Sequence, residues 1–416
     1  MIRAFTASLL MTVLCNVCLA EEWRGFLGRN GRATAPSQVP TKWSAKENML
    51  WKADLPGSGS SSPIVVGQQL VLTCYVDEGT PKRSVMSFDK TTGGLLWQTD
   101  FPIDYREDPE RGYLTEHGYA SNSPVGDGKS IFVFFGKGGV HRLDLEGNKL
   151  WSVDVGQESS NRQWGSASSL IEFDDVVIVN AAEESKSIIA LNKEDGTTRW
   201  KQEASMLELT YGTPRLKEYA DGKKEVLISV PSEVWALDSE AGKLQWYAST
   251  SMTGNICPSI ILDGDIAYSF GGYRSSGSIA IRLGGKDDVS ESHTIWTSRL
   301  SSYVATPVLV DGFFYWINDR GVAYSMSAES GEQIYQERIG GIGGSRPVYA
   351  SPIFIGNYIY VVTRRSGTLV YRPGSTFNLV SQNTIEGDET DFNASPAVDG
   401  ERLYLRSDQG LYCIGN

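Results

Sequence analysis

The chain has 416 residues, with 38 Lys and Arg against 50 Asp and Glu and a formal net charge of −12 at pH 7. This excess of negative charge opposes non-specific binding to nucleic acid or to anionic lipid, so neither is expected as a partner. The length suits two or three ordinary domains or one large β architecture.

The first twenty residues are predicted to be an export signal rather than part of the fold. Arg3 supplies a short positive start, residues 4–14 (AFTASLLMTVL) are apolar, and Ala20 places a small residue before two glutamates. The apolar run is too short for a comfortable membrane span. We therefore expect cleavage after residue 20, a periplasmic or secreted protein and no membrane insertion. An uncleaved anchor is the alternative.

A repeated unit begins with Ser/Thr-Pro and an apolar run. Taking the second residue of each copy, eight units start at positions 63, 124, 169, 214, 258, 307, 352 and 396. Only the first unit carries a large insertion. Within each unit, apolar residues alternate between Gly/Asp turns, which is typical of short antiparallel strands. Four strands at this period predict propeller blades.

The two ends of the chain complement one another. Unit eight stops after its third strand, at residues 410–416 (GLYCIGN), while residues 48–54 (NMLWKAD) supply a strand with no unit of its own. If this strand completes the last blade, the ring closes without an open sheet edge. The predicted fold is all-β: a single eight-bladed β-propeller of four-stranded antiparallel blades over residues 48–416, closed by an N-terminal strand, after an arm over residues 21–47. We expect a monomer.

Residues 87–97 (SFDKTTGGLLW) follow a pattern that also occurs in enzymes using pyrroloquinoline quinone (PQQ). Variants recur at 191–200 (LNKEDGTTRW) and 237–246 (LDSEAGKLQW), whereas an active-site motif would occur once. We therefore predict a structural turn, in which Asp89 bonds its own backbone and Gly93 or Gly94 takes a positive φ. Tryptophans that pack between blades are expected at the corresponding strands: Trp51, Trp97, Trp151, Trp200, Trp246 and Trp296, with Tyr335 in unit six.

Residues 23–31 (WRGFLGRNG), with VPTKWS, MLWKADLPGSGSSSPIVVG and HGYASNSPV further on, carry a resemblance to a known family. The chain resembles the secreted PQQ-like β-propeller repeat proteins related to the outer-membrane assembly factor BamB, in a branch common in planctomycete-type bacteria. The resemblance covers essentially the whole chain after residue 20 and implies the propeller fold. It implies no single activity, because the family mixes scaffolds, sensors and enzymes.

Two departures from the family bear on function. BamB resembles a lipoprotein, but neither Cys15 nor Cys18 follows the small residue that lipoprotein processing needs, which argues against an outer-membrane assembly role. The family's quinoprotein dehydrogenases stack their cofactor between a Trp and a disulfide of adjacent cysteines, over a calcium ion, and this chain has no Cys-Cys pair. We expect no PQQ, no metal and no disulfide framework, with buried thiols at three separated positions: Cys74, Cys257 and Cys413.

Other catalytic patterns are not found in the sequence. His117, His141 and His293 have no metal-ligand spacing to another His or Cys, and there is no nucleophile elbow or zinc signature. The adjacent Glu183 and Glu184 are interpreted as solvated loop charge. The sequence therefore predicts no catalytic residues.

The loop positions predict a binding face. In a propeller, the loops that enter the first strands lie on the same face as the loops that join strands two and three. An aromatic collar at the channel mouth is predicted from residues three to five places before the unit starts: Tyr119, Trp164, Tyr211, Tyr303, Tyr349 and Phe392. The alternative is that these rings pack between blades. The insertion over residues 100–117 is expected to overhang the same face because it is too polar for a core.

The loops between strands two and three suggest a polarity across this face. An acidic half is predicted from Asp77, Glu78, Glu183 and Glu184, and a basic half from units five to eight: Arg274, Arg320, Arg364, Arg365 and Arg406. Ordinary solvated loop charge is the alternative. Aromatic and arginine side chains dominate interface hot spots, so a protein or anionic glycan partner is expected over the mouth.

The leading functional hypothesis is therefore a non-catalytic, exported binding or scaffold propeller. The alternatives are a degenerate PQQ-dependent dehydrogenase and a sensor-type propeller related to the repeat domains associated with bacterial kinases.

Overall fold

The computed structural model describes residues 22–416, and the predicted export signal lies outside this range. Eight antiparallel sheets form the eight blades of a propeller, as the sequence predicted. The strands are given from the channel outward. Blade 1 consists of Ile64–Val66, Gln69–Val76, Lys82–Asp89 and Leu95–Pro102, and blade 2 of Val125–Gly126, Ser130–Phe134, Val140–Asp144 and Lys149–Val153. Blade 3 consists of Ile171–Phe173, Val176–Ala181, Ser187–Asn192 and Thr198–Glu203, and blade 4 of Arg215–Glu218, Lys224–Val230, Glu233–Asp238 and Leu244–Ser249.

Blades 5 to 8 follow the same order. Their strands are Ile261–Asp263, Ile266–Gly271, Gly277–Arg282 and Thr294–Ser298; Val308–Val310, Phe313–Ile317, Val322–Ser327 and Gln333–Arg338; Ile353–Ile355, Tyr358–Val362, Thr368–Arg372 and Asn378–Asn383; Ala397–Asp399, Arg402–Arg406, Gly410–Ile414 and Met49–Asp54.

Two short strands extend the blade sheets. Thr34–Ala35 pairs with the first strand of blade 7, and Asp287–Asp288 pairs with the fourth strand of blade 4. The helical elements are single turns: Arg29–Gly31, Leu114–His117, Gly136–Gly138, Ala182–Ser185 and Ser205–Leu207. No helix within residues 22–416 has both the length and the apolar character that crossing a membrane requires.

The apolar residues that alternate with polar ones pack between neighbouring blades. In blade 3 the second strand, Val176–Ala181, is buried throughout, whereas the fourth, Thr198–Glu203, is buried only at Trp200. Blades 1 and 2, 3 and 4, and 5 and 6 each share a buried cluster, and the largest cluster joins blades 6, 7, 8 and 1 with the N-terminal arm. The core therefore lies between blades, and the last blade is covered only when the ring closes.

Ring closure occurs as predicted. Met49–Asp54 runs antiparallel to Gly410–Ile414, with Trp51 opposite Cys413 and Lys52 opposite Tyr412. The two ends of the chain thus share one sheet, and the eighth blade has the same four strands as the others.

The repeated Ser/Thr-Pro motif supplies a ring of hydroxyl groups around the channel. In seven successive pairs of blades, the backbone N–H of this Ser or Thr donates to the hydroxyl of the next blade at 2.8–3.0 Å; the residues are Ser62, Ser123, Ser169, Thr213, Ser259, Thr306, Ser351 and Ser395. We call this ring the hydroxyl belt. It corrects the predicted starts at 169 and 258, because the residues equivalent to Pro63 are Leu170 and Ile260.

Residues 87–97 form the turn between the third and fourth strands of blade 1. Asp89 Oδ1 accepts hydrogen bonds from the N–H groups of Thr91 (2.9 Å) and Thr92 (2.7 Å), and Gly93 has a φ of +73°. A Cβ on Gly93 would lie 2.5 Å from the Trp51 ring, so only glycine lets the indole pack on this turn.

The same joint recurs around the ring. Trp97 packs on Gly147 of blade 2, and its Nε1 donates to Leu145 O at 2.8 Å. Three other tryptophans donate to a carbonyl oxygen of the next blade at 2.9 Å: Trp151 to Lys193, Trp200 to Ser239 and Trp296 to Ala328. Trp246 differs, because its Nε1 donates to Glu225 of its own blade at 3.1 Å. The motif shared with quinoproteins thus forms an inter-blade joint in this chain.

The N-terminal arm enters the central channel. Trp23 O accepts from Val65 N of blade 1 at 2.8 Å, and Ala33 O accepts from Phe354 N of blade 7 at 2.8 Å. Arg24 O accepts from blade 2, and Gly31 lies against the Arg215 guanidinium of blade 4. Because all these contacts are made to innermost strands, residues 23–35 fill part of the channel. The sequence predicted an arm but not this position.

Beyond the channel, the arm crosses blade 7. Tyr360 donates its hydroxyl to Val39 O at 3.2 Å, and Trp43 stacks on the Tyr360 ring with 6.4 Å between centroids. The backbone N–H of Trp43 donates to Asn383 Oδ1 at 3.1 Å, and Asn383 is the last residue of the outermost strand of blade 7. The arm therefore spans blade 7 from channel to rim before it supplies the closing strand of blade 8.

Candidate binding site at the channel mouth

A cavity of about 170 Å³ lies at the mouth of the channel. Its floor includes Phe26 of the N-terminal arm, and its wall includes several residues of the hydroxyl belt. Four aromatic residues of the predicted collar line it: Trp164, Tyr211, Tyr303 and Tyr349. These four side chains therefore lie together at the channel mouth.

Two residues of the predicted collar do not line the cavity. Tyr119 packs against Tyr75, with 4.7 Å between centroids, and donates its hydroxyl to Asp108 O at 2.7 Å. Phe392 stacks on Tyr412 at 6.0 Å. Tyr119 thus packs against blade 1 and the insertion, and Phe392 packs against a strand of blade 8.

Another ring in the cavity comes from the insertion that follows blade 1. Tyr113 meets Trp164 edge to face, with 4.6 Å between centroids, and its hydroxyl lies 3.2 Å from that of Tyr303. The Arg346 guanidinium lies over the Tyr113 ring, 4.3 Å from its centroid. Sequence reasoning missed Tyr113 because the insertion belongs to no repeat and its contacts are made across the channel.

The insertion forms a lid over the mouth. Residues 100–102 of the predicted insertion belong to the fourth strand of blade 1, so the lid comprises residues 103–118. On the near side, Glu107 pairs with Arg83, and Asp108 pairs with Lys137 of blade 2 at 2.8 Å.

The far end of the lid is bound to other blades. Glu116 pairs with Arg364 of blade 7, and its backbone oxygen accepts from Asn393 Nδ2 at 2.6 Å. The His117 ring bridges Ser121 Oγ (2.7 Å) and Trp164 O (2.9 Å). The lid is therefore held on both sides of the mouth and covers part of the cavity, which stays open to solvent beside it.

The five arginines predicted to form the basic half of the face do not form one free basic surface. Arg364 is held between Glu116 and Asp391, and Arg365 Nε donates to Asp391 at 2.5 Å. Arg406 is buried; it donates to Ser61 O at 2.9 Å. Its placement on the binding face was wrong, because its side chain turns inward beneath the loop. Arg274 and Arg320 are exposed.

The predicted acidic half also requires correction. Asp77 and Glu78 are exposed, but Glu183 and Glu184 are only 4% and 2% exposed. Burial raises the pKa of Glu183 to about 7; burial, together with the charge of Glu183, raises the pKa of Glu184 to about 8. Their interpretation as solvated loop charge was wrong. Glu184 faces a small cavity beneath the lid, beside Glu107 and Asp108.

Three residues that line the channel-mouth cavity have a buried polar atom with no hydrogen-bond partner within residues 22–416: Ser62 Oγ, the Tyr211 hydroxyl and Asn393 Oδ1. Ser62 Oγ would be the eighth acceptor of the hydroxyl belt but receives no N–H, and Asn393 Oδ1 is left open while its amide nitrogen binds the lid. Buried polar atoms of this kind usually have a partner, so the cavity is prepared for a molecule that can donate hydrogen bonds.

The cavity lacks the residues that hold a quinone and its calcium ion in the dehydrogenases described above. Its one lining carboxylate is Glu116, which is already paired with Arg364. Among the described residues, no three His, Cys, Asp or Glu side chains come together as metal ligands, and Cys74, Cys257 and Cys413 are free thiols. The donor set present does not fit that group.

The family model described as outer membrane protein assembly factor BamB matches residues 81–337, more than half of the chain. The chain belongs to this BamB-like family. Among solved structures, BamB from Moraxella catarrhalis is similar to this BamB-like propeller, with a TM-score of 0.62 and 16% identity over 88% of this chain and 99% of that one.

Dehydrogenases share the same architecture. A europium-containing methanol dehydrogenase matches with a TM-score of 0.66 and 9% identity over 95% of this chain and 98% of that one. Quinohemoprotein alcohol dehydrogenase from Comamonas testosteroni matches with a TM-score of 0.63 and 11% identity over 95% of this chain and 80% of that one. At these identities the likeness shows the fold alone. No curated protein sequence matches this BamB-like propeller.

Proposed function

We propose that this protein is a non-catalytic, exported binding propeller and that its ligand occupies the lidded cavity at the channel mouth. The observation that carries the proposal is that two segments outside the repeats complete a cavity whose wall is formed by the blades. Phe26 of the arm contributes to its floor, and Tyr113 and Glu116 of the lid cover part of it from above. The blades alone would form a ring whose channel mouth lacks both this floor and this cover.

The polar groups of the cavity are suited to binding rather than to catalysis. Burial raises the pKa of the Cys257 thiol to about 11, so the thiolate needed for nucleophilic attack is scarce at neutral pH. Burial lowers the pKa of His117, and both of its ring nitrogens are engaged by Ser121 and Trp164. A general base would need a free nitrogen facing the ligand.

The predicted export signal supports a periplasmic or secreted location. Of the two partner classes expected from the sequence, the anionic glycan has less support, because the arginines nearest the cavity are already paired with carboxylates. A ligand that enters the cavity therefore has to be held by ring contacts and neutral hydrogen bonds.

Filling the cavity is expected to abolish binding. Ala167 is half-buried in the cavity wall, so Ala167→Phe places a ring in the ligand space, whereas Ala220→Phe adds the same ring at an exposed turn. After incubation with a periplasmic extract of the producing cells, native mass spectrometry should show a small molecule retained by the wild type and by A220F but not by A167F. Equal retention by A167F, or no retention by the wild type, contradicts the proposal.

The second candidate function is a quinone-dependent dehydrogenase, which the similarity to the methanol dehydrogenase favours. We expect purified protein titrated with PQQ and calcium to show no saturable change in absorbance and no oxidation of alcohols or sugars, since the stacking disulfide and the calcium ligands are missing from the cavity. Stoichiometric binding at micromolar concentration would instead establish the dehydrogenase hypothesis.

A further inference from the structure

We propose that the cavity binds one neutral sugar ring, either a free monosaccharide or the end residue of a glycan. This inference rests on the proposed function, because it names the class of ligand for the same cavity. Three features of the cavity point to this ligand: the chemistry of the lining, the absence of an unpaired charge among the lining residues that the structure describes, and the size of the space.

The lining combines apolar ring surface with neutral polar groups. The six aromatic rings are Phe26, Tyr113, Trp164, Tyr211, Tyr303 and Tyr349, and the neutral polar residues of the lining include Ser121, Asn255 and Asn393. A sugar ring has both an apolar and a polar part, since its C–H groups pack on aromatic rings while its hydroxyls donate and accept hydrogen bonds. Pockets for small ligands usually have this form, with apolar walls and a few placed polar groups.

Two of the three unpartnered atoms discriminate between classes of ligand. Asn393 Oδ1 can only accept a hydrogen bond, and Ser62, a residue that is 1% exposed, has an Oγ with no partner among the described residues. A hydrocarbon would leave both without a partner, and a carboxylate group has no proton to donate to Asn393 Oδ1. Hydroxyl groups can satisfy both atoms, and leaving them unsatisfied would carry a penalty.

The charges around the cavity disfavour a cationic ligand. Glu116 is the one charged residue that lines the cavity, and it is neutralised by Arg364. Three of the aromatic rings already have a guanidinium nearby: Arg346 lies 4.3 Å from the Tyr113 centroid, Arg364 lies 5.4 Å from the Tyr349 centroid, and Arg162 lies 5.6 Å from the Trp164 centroid. These ring faces are therefore already occupied by cations of the protein, so a neutral ligand fits best.

The space limits the ligand to one ring. The cavity of about 170 Å³ is smaller than the roughly 300–1,000 Å³ of pockets for drug-sized molecules. A longer saccharide therefore has to leave its remaining residues outside, past the lid.

The test is a titration of the wild-type protein with neutral hexoses, with N-acetylglucosamine, with the charged glucuronic acid and glucosamine, and with oligosaccharides that end in the neutral sugars. Saturation-transfer NMR and calorimetry should show saturable binding of at least one neutral sugar and none of the charged ones. Binding of the oligosaccharide assigns the end of a glycan as the source, and binding of the monosaccharide alone assigns a free sugar.

Variants locate the site. Ser62→Ala removes a hydroxyl that has no partner in the protein, so it should weaken sugar binding roughly three- to tenfold without lowering Tm. Ser169→Ala is the matched control: it lies in the same hydroxyl belt but outside the cavity, so it should lower Tm and leave sugar binding unchanged. Ala167→Phe should abolish binding.

The outcomes separate this inference from the proposed function. If an extracted ligand is retained by the wild type and lost in A167F but no neutral sugar binds, or if a charged sugar binds instead, the neutral-sugar assignment is wrong and the binding function remains. If neutral sugars bind equally to the wild type, S62A and A167F, they bind elsewhere on the surface, and the assignment of the cavity is wrong.

Discussion

Deleting residues 21–55 is expected to turn the protein from a monomer into an aggregating species that is unfolded near room temperature. The deletion removes the outer strand of blade 8 and leaves the edge of Gly410–Ile414 unpaired, which is a template for association. Besides Ala33, it also removes five large buried apolar side chains: Trp23, Leu27, Val39, Trp43 and Leu55. At about 1.5–3 kcal/mol each, their burial contributes on the order of 10 kcal/mol, comparable to the whole stability of a folded protein.

A shorter deletion separates the two causes. Removing residues 21–35 empties the channel but keeps Met49–Asp54 in blade 8, so this variant should lose stability and stay monomeric. Light scattering after size-exclusion chromatography and thermal melts measure both effects. If the longer deletion stays monomeric and as heat-stable as the wild type, the closing strand does not have the role assigned to it.

The free energy of unfolding is expected to fall as pH rises, and much of this fall should come from Glu183 and Glu184. In an unfolded chain such carboxyls ionise near 4.5, whereas in the fold their pKa values are raised to about 7 and about 8. Between these limits the folded state holds more protons than the unfolded state, so stability decreases with pH from about 4.5 and levels off above about 8.

Replacing both residues with glutamine removes this dependence. Relative to E183Q/E184Q, the wild type should lose on the order of 5 kcal/mol of unfolding free energy between pH 5.5 and pH 9. Urea unfolding at the two pH values measures the difference. The control is the exposed pair changed in D77N/E78Q, which should keep the wild-type pH dependence. An unchanged pH dependence in E183Q/E184Q would show that these carboxyls ionise in the fold as they do in water.

The fold could be predicted because its information is local and repeated. Each unit carries its own hydroxyl, turns and strand alternation, so a period of about 45 residues suffices to count blades. The closing strand could be predicted as well, because residues 48–54 look like a fourth strand without a blade. The starting positions of units three and five were predicted wrongly because Leu170 and Ile260 stand where the other units have proline.

The errors at the site arise from contacts between distant parts of the chain. Glu183 and Glu184 follow a strand in a polar loop pattern, and nothing nearby shows that the lid covers them. Arg406 looks like a loop arginine, yet its guanidinium reaches Ser61 beneath the surface. Tyr113 and Phe26 became cavity residues only because the lid and the arm meet over and within the channel, and no repeat position encodes either contact.

The position of the arm also sets an order of events during biosynthesis. Trp23 and Ala33 are among the first residues of the described chain, but Ala33 bonds to Phe354, 321 residues further along. Synthesis proceeds from the N-terminus, so the earliest segment has to wait until blade 7 exists before it can dock. The binding cavity, whose floor is Phe26, is therefore completed late, after nearly all of the ring has been made.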